Sequence, residues 1–320
     1  MTECPKKGIL NLTYTQLEVE MNNPSTPNLV HITNQTTLLP AIQAWEIFLQ
    51  DQDKSIYTVK AFISDLQLLT SFFAPDKSIG TISTNDINNF LKWLENGRGV
   101  PCSPKSLARR ITSIKAFFRW LKQHGRLSID PAEKVVQKSV ISPLPEILND
   151  DEIQKVLDAA QKYMVATKPD ARPFTLLQLL LETGLKKGEC LSLSLNHIDL
   201  ESTTEPFIFV RYNNPNYRYK ERKIPISAIW IESYRSYLDQ YQPKDQVFPW
   251  SPRRLEYILE DIGKEAGLKK HLSFDMCRWT CALSDFKNSE DHDLIRQKLG
   301  ISKIQWREIG AKLNRLSLQE

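Results

Sequence analysis

No stretch of the 320-residue sequence approaches the run of roughly 20 apolar residues that a bilayer-spanning helix needs. The opening MTECPKKGILNLTYTQ is too polar for the apolar core of a secretory signal. Together these absences point to a cytoplasmic protein. Cysteine is scarce and odd in number: Cys4, Cys102, Cys190, Cys277 and Cys281. That excludes a disulfide framework. Cys277 and Cys281 are spaced to share a helical face, with His271 near. A zinc site needs four ligands at a recognisable spacing, so no metal is expected and buried thiols are the simpler reading. A large excess of either charge is missing too. The net charge is +4, with 41% hydrophobic and 25% charged residues, an ordinary globular balance. Total charge therefore diagnoses no partner, and its distribution has to.

The length allows about two domains. Residues 1–36 are rich in Asn, Thr, Ser and Pro without a sustained period, which reads as a flexible arm. From residue 37 to 129 the pattern is helical. LLPAIQAWEIFLQ, SIYTVKAFISDLQLLTSFFA, STNDINNFLKWLENG and CSPKSLARRITSIKAFFRWLKQHG carry apolar residues at three- and four-residue spacing. Ser83 and Ser103 suit N-caps, Pro104 suits a first helical turn, and Gly97 and Gly125 suit stops. Residues 130–146 hold three prolines and no period, which reads as an extended linker. Helices resume at 147 and run to 320, opened by an Asn149–Glu152 capping box. Within this second part, EPFIFVRY and RYKERKIPI read as strands joined by a polar turn. The fold class is mainly α with a small β-sheet.

Two basic surfaces stand out. Between Pro101 and Ile129 there are seven Lys or Arg and no Asp or Glu. Lys115, Arg119 and Lys122 follow the apolar stripe by one residue, and Lys105, Arg109 and Arg110 add charge earlier in the helix. A solvated helix face is the plain alternative, but such faces usually mix signs. The hairpin adds Arg211, Arg218, Lys220, Arg222 and Lys223, interleaved with Tyr212, Tyr217 and Tyr219. Tyrosine among cations suits a phosphate backbone. Two such patches suggest a clamp on one polyanion, and nucleic-acid contact is the favoured reading.

Six stretches in order resemble the phage-integrase, or tyrosine recombinase, family. SIYTVKAFISDLQLLTSFFA is similar to its first long DNA-binding helix. SPKSLARRITSIKAFFRWLKQHGRLSIDPA is similar to its fourth helix and Asn-Pro-Ala exit, here Asp130-Pro131-Ala132. LPEILNDDEI resembles the entry to the catalytic domain, and LLLETGLKKGECLSLSLNHIDLE resembles the Thr-Gly-Leu-Arg box. YKERKIPI resembles the Lys-x-Arg hairpin strand and LIRQKLGIS the Leu-Gly-His box. The resemblance implies a helical SAM-like core-binding domain and a recombinase-type catalytic fold that encircle DNA. It also implies attack of a tyrosine hydroxyl on a phosphodiester, with no metal, nucleotide or other cofactor.

That chemistry needs a nucleophile and cations that stabilise charge on the phosphoryl oxygens. The resemblance carries the first arginine to Lys186, which keeps the charge but lacks the planar fork. It carries the hairpin lysine to Tyr217, with Arg218 or Lys220 as substitutes. Aligned on Asp275, the His-x-x-Arg element falls at Phe274 and Cys277, with His271 and Arg278 as displaced substitutes. The last histidine becomes Ile301. The tyrosine falls near Ile309 or at Gly310, and no tyrosine follows Tyr257. Ser302 and Ser317 carry hydroxyls without an obvious base. The reading is a DNA-binding member with a degenerate catalytic site, its DNA contacts at Lys105, Arg109, Arg110, Lys115, Arg119, Lys122, Lys186, Arg218, Lys220, Arg222 and Arg278. Its further partners are a second copy of itself or an active recombinase. A divergent working recombinase with an unusual or trans-supplied nucleophile is the alternative, and a protein-interaction module is the second alternative. The C-terminal WREIGAKLNRLSLQE reads as a helix that docks on a neighbour or folds back.

Overall fold

The computed structural model of the chain describes residues 32–52, 54–100, 102–137, 143–202, 205–288 and 291–319. Two compact units divide between Ser142 and Pro143.

The first unit packs α1 (Leu38–Asp51), α2 (Ile56–Phe72), α3 (Thr84–Lys92) and α4 (Pro104–Gln123). Ala41, Ile42, Trp45 and Leu49 of α1 recur at helical spacing and are buried, as are Ile111, Ile114, Phe118 and Leu121 of α4. Burying a side chain the size of Ile42 or Phe118 contributes roughly 1.5–3 kcal/mol. Ser55, Ser83 and Ser103 cap the starts of α2, α3 and α4, and Pro104 opens α4. Gly97 ends a single π-turn after α3, where a Cβ would sit 2.8 Å from the Trp93 ring.

The end of the segment expected to be a flexible arm and part of the one expected to be an extended linker both contribute to this unit. Residues 1–31 of the arm lie outside the described residues. Residues 32–36 do not extend away, because Ile32 is buried and Asn34 and Thr36 accept backbone bonds from Gly80 and Ile79. Of the linker, Ala132 and Val135 enter the core, Thr84 donates to the Pro131 carbonyl, and Gln137 donates to Ala108 and Thr112 on α4. Two small apolar anchors in an otherwise aperiodic stretch suffice to dock it. Residues 138–142 lie outside the described residues.

The second unit begins with α5 (Asp150–Met164), opened by the Asn149–Glu152 capping box, then α6 (Arg172–Thr183) and the short α7 (Lys187–Leu191). A three-stranded antiparallel sheet follows in the order β1 (Ile198–Asp199), β2 (Phe207–Val210), β3 (Arg222–Pro225). Ile208 faces both Ile198 and Ile224 across the sheet. The polar turn between β2 and β3 coils into a 3₁₀ helix, Pro215–Lys220. Helices α8 (Ala228–Tyr241), α9 (Pro252–Glu265), α10 (Phe274–Lys287), α11 (His292–Lys298) and α12 (Lys303–Ser317) complete it. α6 is the central apolar helix. Leu176, Leu177, Leu179 and Leu180 are fully buried, and Trp230 of α8 donates to the Thr175 carbonyl. The C-terminal helix folds back on its own unit: Leu313 and Leu316 pack with Leu283, Ile295, Leu299 and Ile301. Among the described residues no helix is long and apolar enough to cross a membrane.

Candidate functional site

α6 stops at Gly184, whose φ of +59° closes the helix in the left-handed region that glycine adopts without cost. The chain then turns so that Lys186, in extended conformation, caps α7. Its backbone N–H donates to Glu189 Oε2 at 3.0 Å, and its Nζ donates to the Gly300 carbonyl at 3.1 Å and lies 3.6 Å from Glu189 Oε1. Glu189 is buried and saturated. Arg222 of β3 donates to it from Nη1 (3.1 Å) and Nη2 (2.9 Å), and the Tyr212 hydroxyl donates as well. Arg222 also reaches across to the Lys298 carbonyl at 2.5 Å. Its guanidinium packs on Gly300, where φ is +56° and a Cβ would fall 2.5 Å from Nη1. Any other residue there would be strained by the positive φ and would have to displace the Arg222 guanidinium. Arg278 of α10 donates to the Gly184 carbonyl and, at 2.6 Å, to the Leu299 carbonyl. The turn after α6, strand β3 and the end of α11 therefore meet around three cations and one carboxylate.

Burial alone would raise the Glu189 carboxyl. The Arg222 guanidinium, the Tyr212 hydroxyl and the Lys186 N–H outweigh it and hold the group at about 2. Burial lowers Lys186 to about 8, helped by Arg278, Arg222 and Lys220 and opposed by Glu189. Burial lowers Arg278 too, and burial with the Glu189 contact raises Tyr212. Beside these cations opens a cleft of about 980 Å³, lined among others by Lys186, Arg278, Arg253, Tyr257, His271 and Asp275.

The structure separates residues that the sequence placed together. Phe274 and Cys277 are buried core, and burial pushes the Cys277 thiol up to about 12. Arg278, one residue further on, reaches the cleft, since one residue on a helix turns a side chain by about 100°. Taken from Arg278, the residue three places earlier is the exposed Asp275, which sequence alignment uses only as an anchor. The i, i+3 spacing of Asp275 and Arg278 is the signal for it. His271 is exposed and lines the cleft. Ile301 is buried against α12. Gly310 sits inside α12, where a Cβ would lie 3.3 Å from the Trp306 ring. Ser302 caps α12, and Ser317 bonds locally to Asn314. Tyr217, 41% exposed, meets the Tyr212 ring edge-on at 5.9 Å, and the Lys220 ammonium lies 4.5 Å from the Tyr217 ring centroid. Arg218 is exposed, whereas Arg222 is only 7% exposed and committed to Glu189, so it cannot serve as a surface contact.

On α4 the basic row also divides. Lys105 and Arg119 are exposed. Arg109 pairs with the buried Asp65 at 2.7 Å while keeping part of its surface, and Lys122 pairs with Glu133 at 3.1 Å. Lys115 reaches the Glu133 carbonyl at 3.4 Å. Arg110 does not join the surface row: it points inward, to Asp65 (3.6 Å) and the Cys102 sulfur (2.6 Å). Sequence spacing could not foresee this, because the acid that recruits both arginines is on α2. Among the described residues no group of three or more His, Cys, Asp or Glu could hold a metal ion.

Residues 146–309 match the phage integrase family, and residues 42–125 match the phage integrase N-terminal SAM-like domain. The chain is 25% identical over 280 residues to tyrosine recombinase XerD of Listeria innocua, covering 83% of this chain and 91% of that protein. It is 25% identical over 285 residues to tyrosine recombinase XerC of Lacticaseibacillus casei, covering 84% and 92%. The fold is similar to a lambda integrase dimer bound to a COC′ core site (TM-score 0.67, 16% identity, 92% of this chain and 84% of that one). It is likewise similar to XerH recombinase bound to a palindromic difH substrate in a post-cleavage complex (TM-score 0.68, 18% identity, 87% and 83%).

Proposed function

The chain belongs to the phage integrase family of tyrosine recombinases, and on that premise we propose that it binds duplex DNA without cleaving it. The observation that carries this reading is Gly310. It stands on α12 where the family's nucleophile is expected, with the Trp306 ring against it, and no tyrosine follows Tyr257. Ile301, buried, cannot transfer a proton as a histidine would. Without an attacking hydroxyl, the remaining cations can hold a phosphate but cannot form a covalent bond to it.

Those cations support binding. Lys186 offers a point charge. Arg278 keeps N–H groups beyond the two it gives to carbonyls. Lys105 and Arg119 on α4, and Arg218 on the 3₁₀ turn, are free to reach a polyanion. A DNA-associated role beside an active recombinase or a second copy fits such a protein.

Incubation with candidate duplexes followed by denaturing electrophoresis tests the reading. The expected result is salt-dependent binding with no covalent band, and a covalent band would sink it. A divergent recombinase that borrows a tyrosine from another subunit keeps one observation in its favour, the retained pair of cations facing an open cleft. Under that reading Lys186→Ala abolishes recombination while binding persists.

A further inference from the structure

Three carboxylates line the cleft beside Lys186 and Arg278: Glu256, Glu260 and Asp275. Two are already neutralised. Glu256 pairs with Lys187 at 2.8 Å, and Glu260 pairs with Lys264 at 2.7 Å. Asp275 differs. It is exposed in the first turn of α10, and among the described residues no ion pair or side-chain hydrogen bond engages it. Arg278, one turn on, does not cover it, because that guanidinium is drawn to the Gly184 and Leu299 carbonyls. The cleft thus presents two cations with a carboxylate at their side that, among the described residues, no ion pair or side-chain hydrogen bond ties down.

We propose that Asp275 is an electrostatic brake on this cleft, weakening its hold on a DNA phosphate. The proposal rests on the DNA-binding reading and deepens it by naming the residue that opposes the retained cations. A phosphate within reach of Lys186 and Arg278 is also within the field of Asp275, and like charges a few ångströms apart repel even in water. The Asp275 field already reaches the Arg278 guanidinium. A helix start favours an acid for its own stability, and that structural role makes an opposite prediction. If Asp275 merely stabilises α10, removing its charge loosens the fold and leaves DNA affinity unchanged or weaker.

The test is anisotropy titration of a short fluorescent duplex with the full chain, across a range of salt. Asp275→Asn is expected to tighten binding about threefold near 0.1 M salt, a gain that fades as screening grows. Asp275→Ser should do the same, and Glu260→Gln should leave affinity unchanged, since Lys264 already neutralises that group. Wild-type protein that binds with a steep salt slope, alongside Asp275 variants that bind no better, overturns the proposal alone. Wild-type protein that shows no salt-dependent binding overturns the DNA-binding reading and the proposal with it.

Discussion

The two units carry positive charge in opposite ways. On α4 of the first unit, Lys105 and Arg119 are exposed and Lys122 is only loosely tied to Glu133. In the second unit, Lys186, Arg222 and Arg278 are drawn inward, each fixed to carbonyls or to Glu189. Exposed cations give affinity with little geometry, because counterion release depends on charge rather than on orientation. Fixed cations give geometry at the cost of charge freely offered. Under the proposed reading the inward cations serve mainly as structure, while binding rests on the outward ones.

The largest expected effect breaks the inward set. Arg222→Ala removes one partner of an ion pair whose side chains are 7% and 3% exposed, and leaves Glu189 buried without its main counter-charge. Breaking such a pair costs about 3–5 kcal/mol. Urea denaturation should show it, and a loss below about 1 kcal/mol would mean that Arg222 is not structural after all. Next comes the outward set. Replacing Lys105, Arg119 and Lys122 together with Gln should weaken DNA binding on the order of 100-fold and lower the salt slope by about 0.9 for each phosphate no longer neutralised, with little change in melting. An unchanged slope would move the DNA-binding surface off α4.

Legibility in the sequence follows the same division. Helical spacing, Ser caps and the Asn149–Glu152 box mark α2 to α5, because those signals are local. The small apolar anchors Ile32, Ala132 and Val135 escape notice, since a single buried residue leaves no period. In the site, motif order alone draws attention to Lys186, which lines the cleft, and to Gly310, which lies inside α12. Arg222 reads as a surface contact and Arg110 as part of the row, both wrongly, because Glu189 and Asp65, the acids that recruit them, lie 33 and 45 positions away (222 − 189 and 110 − 65). Arg278 lines the cleft and Cys277 is buried, a difference invisible in composition because one residue on a helix turns a side chain by about 100°.

Lys186 tests whether the inward cations still meet a ligand. It titrates at about 8 when folded, against an ordinary 10.5. Between those values the unfolded chain binds more protons, so stability rises with pH across that window. Phosphate binding requires the charged form, so it moves the other way. DNA affinity should fall about tenfold or less between pH 7 and 9, and Lys186→Arg should flatten the profile. A flat wild-type profile would remove Lys186 from the interface.

The smallest effect is the sharpest for the comparison, because it sets one acid against another. Glu133 stands beside the outward cations much as Asp275 stands beside the inward ones. Its pair with Lys122 is open to water, with side chains 64% and 44% exposed. Such pairs contribute about 0–1 kcal/mol and are readily exchanged for solvent or a phosphate. Glu133→Gln should therefore tighten DNA binding by less than about twofold, below the gain from Asp275→Asn. Lys122 can swing to a phosphate whether or not Glu133 is charged, whereas Arg278 is held by the Gly184 and Leu299 carbonyls and cannot leave the field of Asp275. If Glu133→Gln gave the larger gain in the same anisotropy assay, the fixed placement of the second unit's cations would not be what makes a neighbouring acid costly.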